Sequence, residues 1–172
     1  MKQSIWSYKV MKHYSNPCEE PECDLCKKGS ATHRGMVRAD VSSFKVGTKL
    51  IKVKADLNCS NYGIYIAVCK KCPNNQAAYV GKTDKSFTER WTKGHMQAWK
   101  GLQCREENNC QALKIHYQKK HPEFYKENPV IVACYSVYFV EKPIHRRLSD
   151  QEKYWMNELQ PYLINIQQPE PQ

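Results

Sequence analysis

Cys69 and Cys72 stand two residues apart in a turn between two short apolar runs, and that placement restricts the chain more than any other feature. Gly63–Val68 reads as a buried strand, and Cys69–Gln76, with Pro73, Asn74 and Asn75, as a turn. Ala77–Gly81 then reads as the antiparallel mate. Thiols two apart suit tetrahedral Zn²⁺, as do histidines three to five apart, which His116 and His121 supply. On one continuous helix those histidines would diverge by about 140°, at roughly 100° per residue. They converge only if the helix stops near Lys119, an end that Pro122 favours. Zn²⁺ on Cys69, Cys72, His116 and His121 would then pin a helix end to a hairpin tip. An alternative set, Cys23, Cys26, Cys69 and Cys72, is chemically as good.

The chain has nine cysteines, and Cys18, Cys23 and Cys26 form a second group. The first twenty residues carry Lys2, Lys9, Lys12 and His13 and no apolar core of a secretory leader. A reducing, intracellular setting is therefore expected, nuclear in a eukaryote, with metal ligation in place of disulfides. Under the Cys₂His₂ reading, Cys18, Cys23 and Cys26 would make a second zinc site, with Cys59 or His33 as fourth ligand. The 172 residues suit one domain with an appendage. Lys and Arg outnumber Asp and Glu by 27 to 17, leaving +10 on a chain that is 41% hydrophobic. That combination implies a folded body with a polyanionic partner, nucleic acid first, against the plainer reading of a solvated surface. The longest apolar stretches, Ile64–Cys69 and Val130–Tyr135, fall far short of the roughly 18 residues a membrane helix needs.

Residues 1–45 read as loop. Alternation from Leu50 to Leu57 predicts a strand with Ile51, Val53, Ala55 and Leu57 on its inner face. Ser86-Phe87-Thr88-Glu89 is a capping box opening a helix through Trp91, Met96 and Trp99 to about Gly101. A polar loop, Leu102–Cys110, precedes a helix over about Gln111–Lys119, and Val130–Val140 is a further strand. Ser149-Asp150-Gln151-Glu152 is a second capping box, opening a helix that Pro161 ends. The tail from Gln167 reads as frayed. The order β-β-β-α-α-β-α gives an α+β sandwich, a small antiparallel sheet flanked by helices.

Tyr65 and Tyr79 lie in paired apolar strands, and Arg90 follows one turn after Phe87. Glu152 shares a helix face with Trp155, Met156 and Leu159, which points its carboxylate into the apolar side unless it serves the capping box. Two tyrosines, an arginine and a carboxylate on a basic body suit phosphodiester hydrolysis. A phenol can take a proton from water, the guanidinium can hold phosphate charge, and the carboxylate can hold a divalent cation.

These residues resemble the GIY-YIG endonucleases. Gly63-Ile64-Tyr65 and Tyr79-Val80-Gly81 match the signature, and Lys85–Trp91 resembles the helix with the catalytic arginine. Gln151–Leu159 resembles the helix with the metal-binding glutamate, and Asn165 stands where the family keeps a supporting asparagine. The cysteine pattern around Cys18, Cys23, Cys26, Cys59, Cys69 and Cys72 is closest to the endonuclease domain of Penelope-like retroelements, whose zinc motif is CCHH. With no reverse transcriptase in it, the chain is a freestanding relative or an excised domain.

The resemblance implies a Cys-rich, zinc-binding extension over 1–60, a nuclease domain over 61–168 and a flexible tail over 169–172. It implies DNA as partner, with a reverse transcriptase or other element-encoded partner in retroelement integration. Tyr65 would be the general base, Tyr79 would position the water or phosphate, and Arg90 would neutralise the phosphate. Glu152 would bind Mg²⁺ or Mn²⁺. His95 either helps deprotonate the nucleophile or is an exposed helix histidine, and Asn165 either supports the site or is a turn residue. Lys82, Lys70/Lys71, Lys119/Lys120 and Arg146/Arg147 would contact the DNA backbone. The turn Pro73–Ala78 is longer than the family's usual one, which bears on the facing of Tyr79. The competing function is an inactive, zinc-stabilised nucleic-acid-binding module.

Overall fold

Alternation along Gly63–Cys69 sorts its side chains onto two faces, and both faces are covered. The computed structural model describes residues 42–53, 62–101, 107–127, 129, 131, 134–144 and 147–166. In it β3 (Gly63–Cys69), buried at every position, is the centre of a three-stranded antiparallel sheet. Its neighbours are β4 (Ala78–Thr83) and β5 (Tyr135–Glu141). Tyr65, Ala67, Cys69, Tyr79, Tyr135, Val137 and Phe139 face one way. Ile64, Ile66, Val68, Ala78, Val80, Tyr138 and Val140 face the other.

Two helices cover the tyrosine face. α1 runs as Phe87–Arg90, then π-helical Trp91–His95, then Met96–Trp99. Its start is capped as expected, with the Glu89 amide donating to Ser86 Oγ at 3.1 Å. α2 (Glu107–Lys120) begins four residues before the expected Gln111 and takes in Cys110. The polar residues Glu107–Asn109 disguise its first turn in the sequence, and Cys110, Ala112, Leu113 and Tyr117 of this helix are buried. A short α3 (Pro122–Tyr125), unforeseen in the sequence, follows.

The opposite face carries α4 (Leu148–Glu158) and a hairpin. That hairpin corrects the loop reading of 1–45, since β1 (Ser43–Val46) pairs with β2 (Lys49–Lys52) as a separate two-stranded sheet. Four residues of alternation, Phe44 and Val46 inward, were too few to stand out, yet Phe44 stacks on Tyr138 at 3.7 Å. The strand expected over Leu50–Leu57 is seen as β2, with Ile51 buried and Leu50 exposed, and residues 54–61 lie outside the described part. β5 starts at Tyr135 rather than Val130, after a turn in which the Cys134 amide donates to the Ile131 carbonyl at 2.9 Å.

The second capping box is overturned. Arg147 occupies the N-cap, without a side-chain cap bond, and Ser149 lies inside α4 accepting from Lys82 Nζ at 3.0 Å. The start of α4 is anchored instead by buried Gln151. Its amide donates to Glu141 Oε1 at 2.7 Å and the Lys142 carbonyl at 3.0 Å, and its oxygen accepts from the Ile144 amide at 3.4 Å. Among the described residues no helix is long and apolar enough to cross a membrane.

After α4 the chain turns back along the open edge of β4. The Ala78 amide donates to the Tyr162 carbonyl and the Ile164 amide to the Ala78 carbonyl, each at 2.9 Å. Asn165, buried, completes the cover. Its Oδ1 accepts from the Val80 amide at 2.9 Å and its Nδ2 donates to the Val80 carbonyl at 2.7 Å. A sheet edge is thereby closed. Asn165→Ala strands both backbone groups in a buried place, so unfolding free energy should drop by about 3 kcal/mol. The urea midpoint should fall with an unchanged m-value.

Candidate active site and metal centre

Register decides which phenols meet. Tyr65 pairs with Gly81 and Ala67 with Tyr79, so the two tyrosines are diagonal neighbours on one face, their rings 6.3 Å apart. The long turn does not disturb this, because Pro73–Asn75 coils into a single 3₁₀ turn. A Cβ at position 81 would fall on the Tyr65 phenol. Gly81 is therefore what gives that ring its place across the strand pair.

Phe87, Trp91 and His95 follow at four-residue intervals on α1 and lie over the tyrosines, with the His95 ring 5.9 Å from that of Tyr65 and 5.2 Å from that of Tyr79. His95 is only 1% exposed, which excludes the surface reading. Its Nε2 lies 2.7 Å from Tyr65 Oη. Burial holds the imidazole well below its usual range, and the charge of Arg90 pushes the same way. Burial likewise pushes Tyr65 up to about 12, which Arg90 beside it partly offsets. Tyr79 is raised well above the ordinary phenol by burial and then by Tyr65. At neutral pH both rings of the Tyr65–His95 pair are uncharged, with a single proton between Oη and Nε2.

Arg90, at the last α-helical position before the π turn, directs its guanidinium at both tyrosines, and its Nη1 donates to Cys110 Sγ at 3.3 Å. Glu152 departs from expectation in detail. The buried residue of that turn is Gln151, at 1% exposure, while the Glu152 side chain sits at the rim, 23% exposed, with Lys82 Nζ 3.6 Å from Oε1. Its charge still reaches Tyr65 and Tyr79. Tyr65, Tyr79, Arg90, His95 and Glu152 thus come together from four elements. Asn165 does not join them, but it binds the backbone of Val80, between Tyr79 and Gly81. Cys110 and Gln151 went unnoticed in the sequence. For Cys110 the available signal was its helical spacing, three and seven residues ahead of Leu113 and Tyr117.

At the other end of the hairpin, one ligand atom each from Cys69, Cys72, His116 and His121 lie within 4.8 Å of one another. Cys72 Sγ is 3.3 Å from Nε2 of both histidines, and Cys69 Sγ is 3.4 Å from His121 Nε2. The helix stops as the spacing requires: α2 ends at Lys120, His121 turns out at φ −131°, and Pro122 opens α3. Two thiols and two imidazoles converging this way fit a tetrahedral Zn²⁺. Burial lowers His116 to about 4, leaving its lone pair unprotonated, and burial beside Cys69 raises Cys72 to about 12. A bound cation would displace the thiol proton. Cys18, Cys23, Cys26, Cys59 and His33 lie outside the described residues.

His95 makes stability depend on acid. Unfolded, its ring titrates near 6.5, and folded, well below, so the unfolded chain takes the proton first. Stability should decline as pH falls below about 6.5, by up to about 1.4 kcal/mol per pH unit from this one group. Urea unfolding of wild type and His95→Gln at a series of pH values checks it, since the variant should lose that share of the slope.

Residues 61–165, more than half of the chain, match the model of the GIY-YIG catalytic domain family. No curated protein and no solved structure matches the chain.

Proposed function

The chain belongs to the GIY-YIG catalytic domain family, a family of nucleases, and on that premise we propose that it is a metal-dependent DNA endonuclease. The observation that carries the reading is the meeting of Tyr65, Tyr79, Arg90 and His95 on one face of the sheet, with Glu152 at the rim, where its charge reaches both phenols. A resting phenol raised to about 12 is a poor base by itself. His95, uncharged and 2.7 Å away, is placed to receive the Tyr65 proton as Tyr65 takes one from the attacking water. The negative charge gathering on the phosphate would favour the imidazolium that burial and Arg90 disfavour at rest. Tyr79 orients that water or the phosphate. Arg90 balances the charge that gathers on the phosphoryl oxygens as the new P–O bond forms and the old one breaks. Glu152 would hold Mg²⁺ or Mn²⁺, whose chemistry is to stabilise the leaving oxygen. Lys82, already at Glu152, and Lys70, Lys71, Lys119, Lys120 and Arg147 are suited to the DNA backbone, with Arg146 outside the described residues.

Zn²⁺ at Cys69, Cys72, His116 and His121 would join the hairpin tip to the end of α2. A Cys-rich extension over 1–60, with Cys18, Cys23 and Cys26 as a second zinc site, precedes the nuclease domain 61–168 and a tail 169–172. The cysteine pattern favours a role in retroelement integration beside a reverse transcriptase, in the nucleus of a eukaryotic host. The other reading, an inactive zinc-stabilised binding module, accounts for the charge and the cysteines. It gives no reason for a buried His95 bonded to Tyr65.

Purified protein should nick supercoiled plasmid in Mg²⁺ or Mn²⁺. Glu152→Gln and Arg90→Ala should each slow nicking by two or more orders of magnitude, a loss of about 3 kcal/mol of transition-state stabilisation, with folding and DNA binding kept. Plasmid left intact by the wild type across both metals and a range of pH, despite tight binding, would favour the inactive module. For zinc, chelation should lower the melting temperature and release at least one ion per chain. His121→Ala should lose that ion, and full occupancy in a Cys69→Ser/His116→Ala double variant would defeat the assignment.

A further inference from the structure

Arg90, Gly94 and Ala98 recur at four-residue intervals along α1 and form a stripe turned towards α2. Opposite them stands Cys110, 1% exposed, packed on Ala98, with its sulfur 3.3 Å from Arg90 Nη1. The approach is close. A Cβ on Gly94 would lie 3.0 Å from Arg90 Nη1 and 3.1 Å from Cys110 Sγ, so any larger residue there would push guanidinium or thiol aside by a few tenths of an ångström. The π turn Trp91–His95 surrounds this glycine and sets Arg90 against α2 while His95 remains over the tyrosines.

From this geometry we propose that Cys110 is a positioning residue for Arg90, with Gly94 as the gap that admits the contact. The inference rests on the nuclease reading, in which Arg90 carries phosphate charge. A guanidinium on a long side chain has many rotamers, and charge stabilisation needs it held before the reaction begins. Sulfur is a soft acceptor that takes one N–H without the charge of a carboxylate. It therefore fixes the fork while leaving the full positive charge for the phosphate. An aspartate at the same place would neutralise the cation it was holding.

The test uses the full-length, zinc-loaded protein with Cys110→Ala, Cys110→Ser and Gly94→Ala. Cys110→Ala should reduce kcat for plasmid nicking about tenfold with KM for DNA little changed. Cys110→Ser, which restores an acceptor, should recover most of that loss. In an Arg90→Lys background the Cys110→Ala change should cost nothing further, because it acts through the guanidinium. An independent readout is the ¹⁵N spectrum of the Arg90 guanidinium. Restricted Nη signals are expected in wild type and in Cys110→Ser, and averaged ones in Cys110→Ala and Gly94→Ala. Restricted signals that persist in Cys110→Ala, or a kcat loss that adds fully to that of Arg90→Lys, would overturn the inference. A wild type that does not nick, yet shows the expected spectra, would fail the nuclease reading and leave the positioning contact standing.

Discussion

Everything in this molecule depends on one strand being buried on both sides. β3 exposes no residue, so its odd positions must be covered by α1 and α2 and its even ones by α4 and the β1–β2 hairpin. Either layer alone would leave a row of apolar side chains in water at roughly 25 cal/mol per Å². The same period of two that forces this sandwich aims Tyr65 at the helical layer. The geometry of the candidate site and the packing of the core are consequently one arrangement: Tyr65 is a core residue with a polar end, and His95 meets that end within the core.

The parts legible in the sequence are those governed by short, regular spacing. The hairpin, the capped start of α1, the end of α2 before Pro122 and the common facing of the tyrosines all follow from local chemistry. What escaped depends on contacts distant in the chain. Ser149 and Glu152 have the spacing of a capping box, yet Lys82 on β4 attracts both, and Gln151 anchors the helix by reaching back to β5. His95 has the appearance of a surface histidine until Trp91, one turn earlier, is seen to be buried against the sheet. β1 was hidden because its alternation is only four residues long and its stability comes from Tyr138, far along the chain.

α2 has a bearing on how the two ends of the molecule communicate. Six residues, a rise of about 9 Å, separate Cys110 beside Arg90 from His116 in the Cys₂His₂ cluster that could hold a metal. A helix that short is stiff, so a shift at one end is a shift at the other. Thermodynamic reciprocity then applies: whatever the cation does for the arrangement at Arg90, a phosphate engaging Arg90 does equally for the hold on the cation. If a cation at the Cys₂His₂ cluster favours the arrangement at Arg90 that a phosphate engages, the phosphate in turn tightens the hold on the cation, and the site without its anion would be the first to release it.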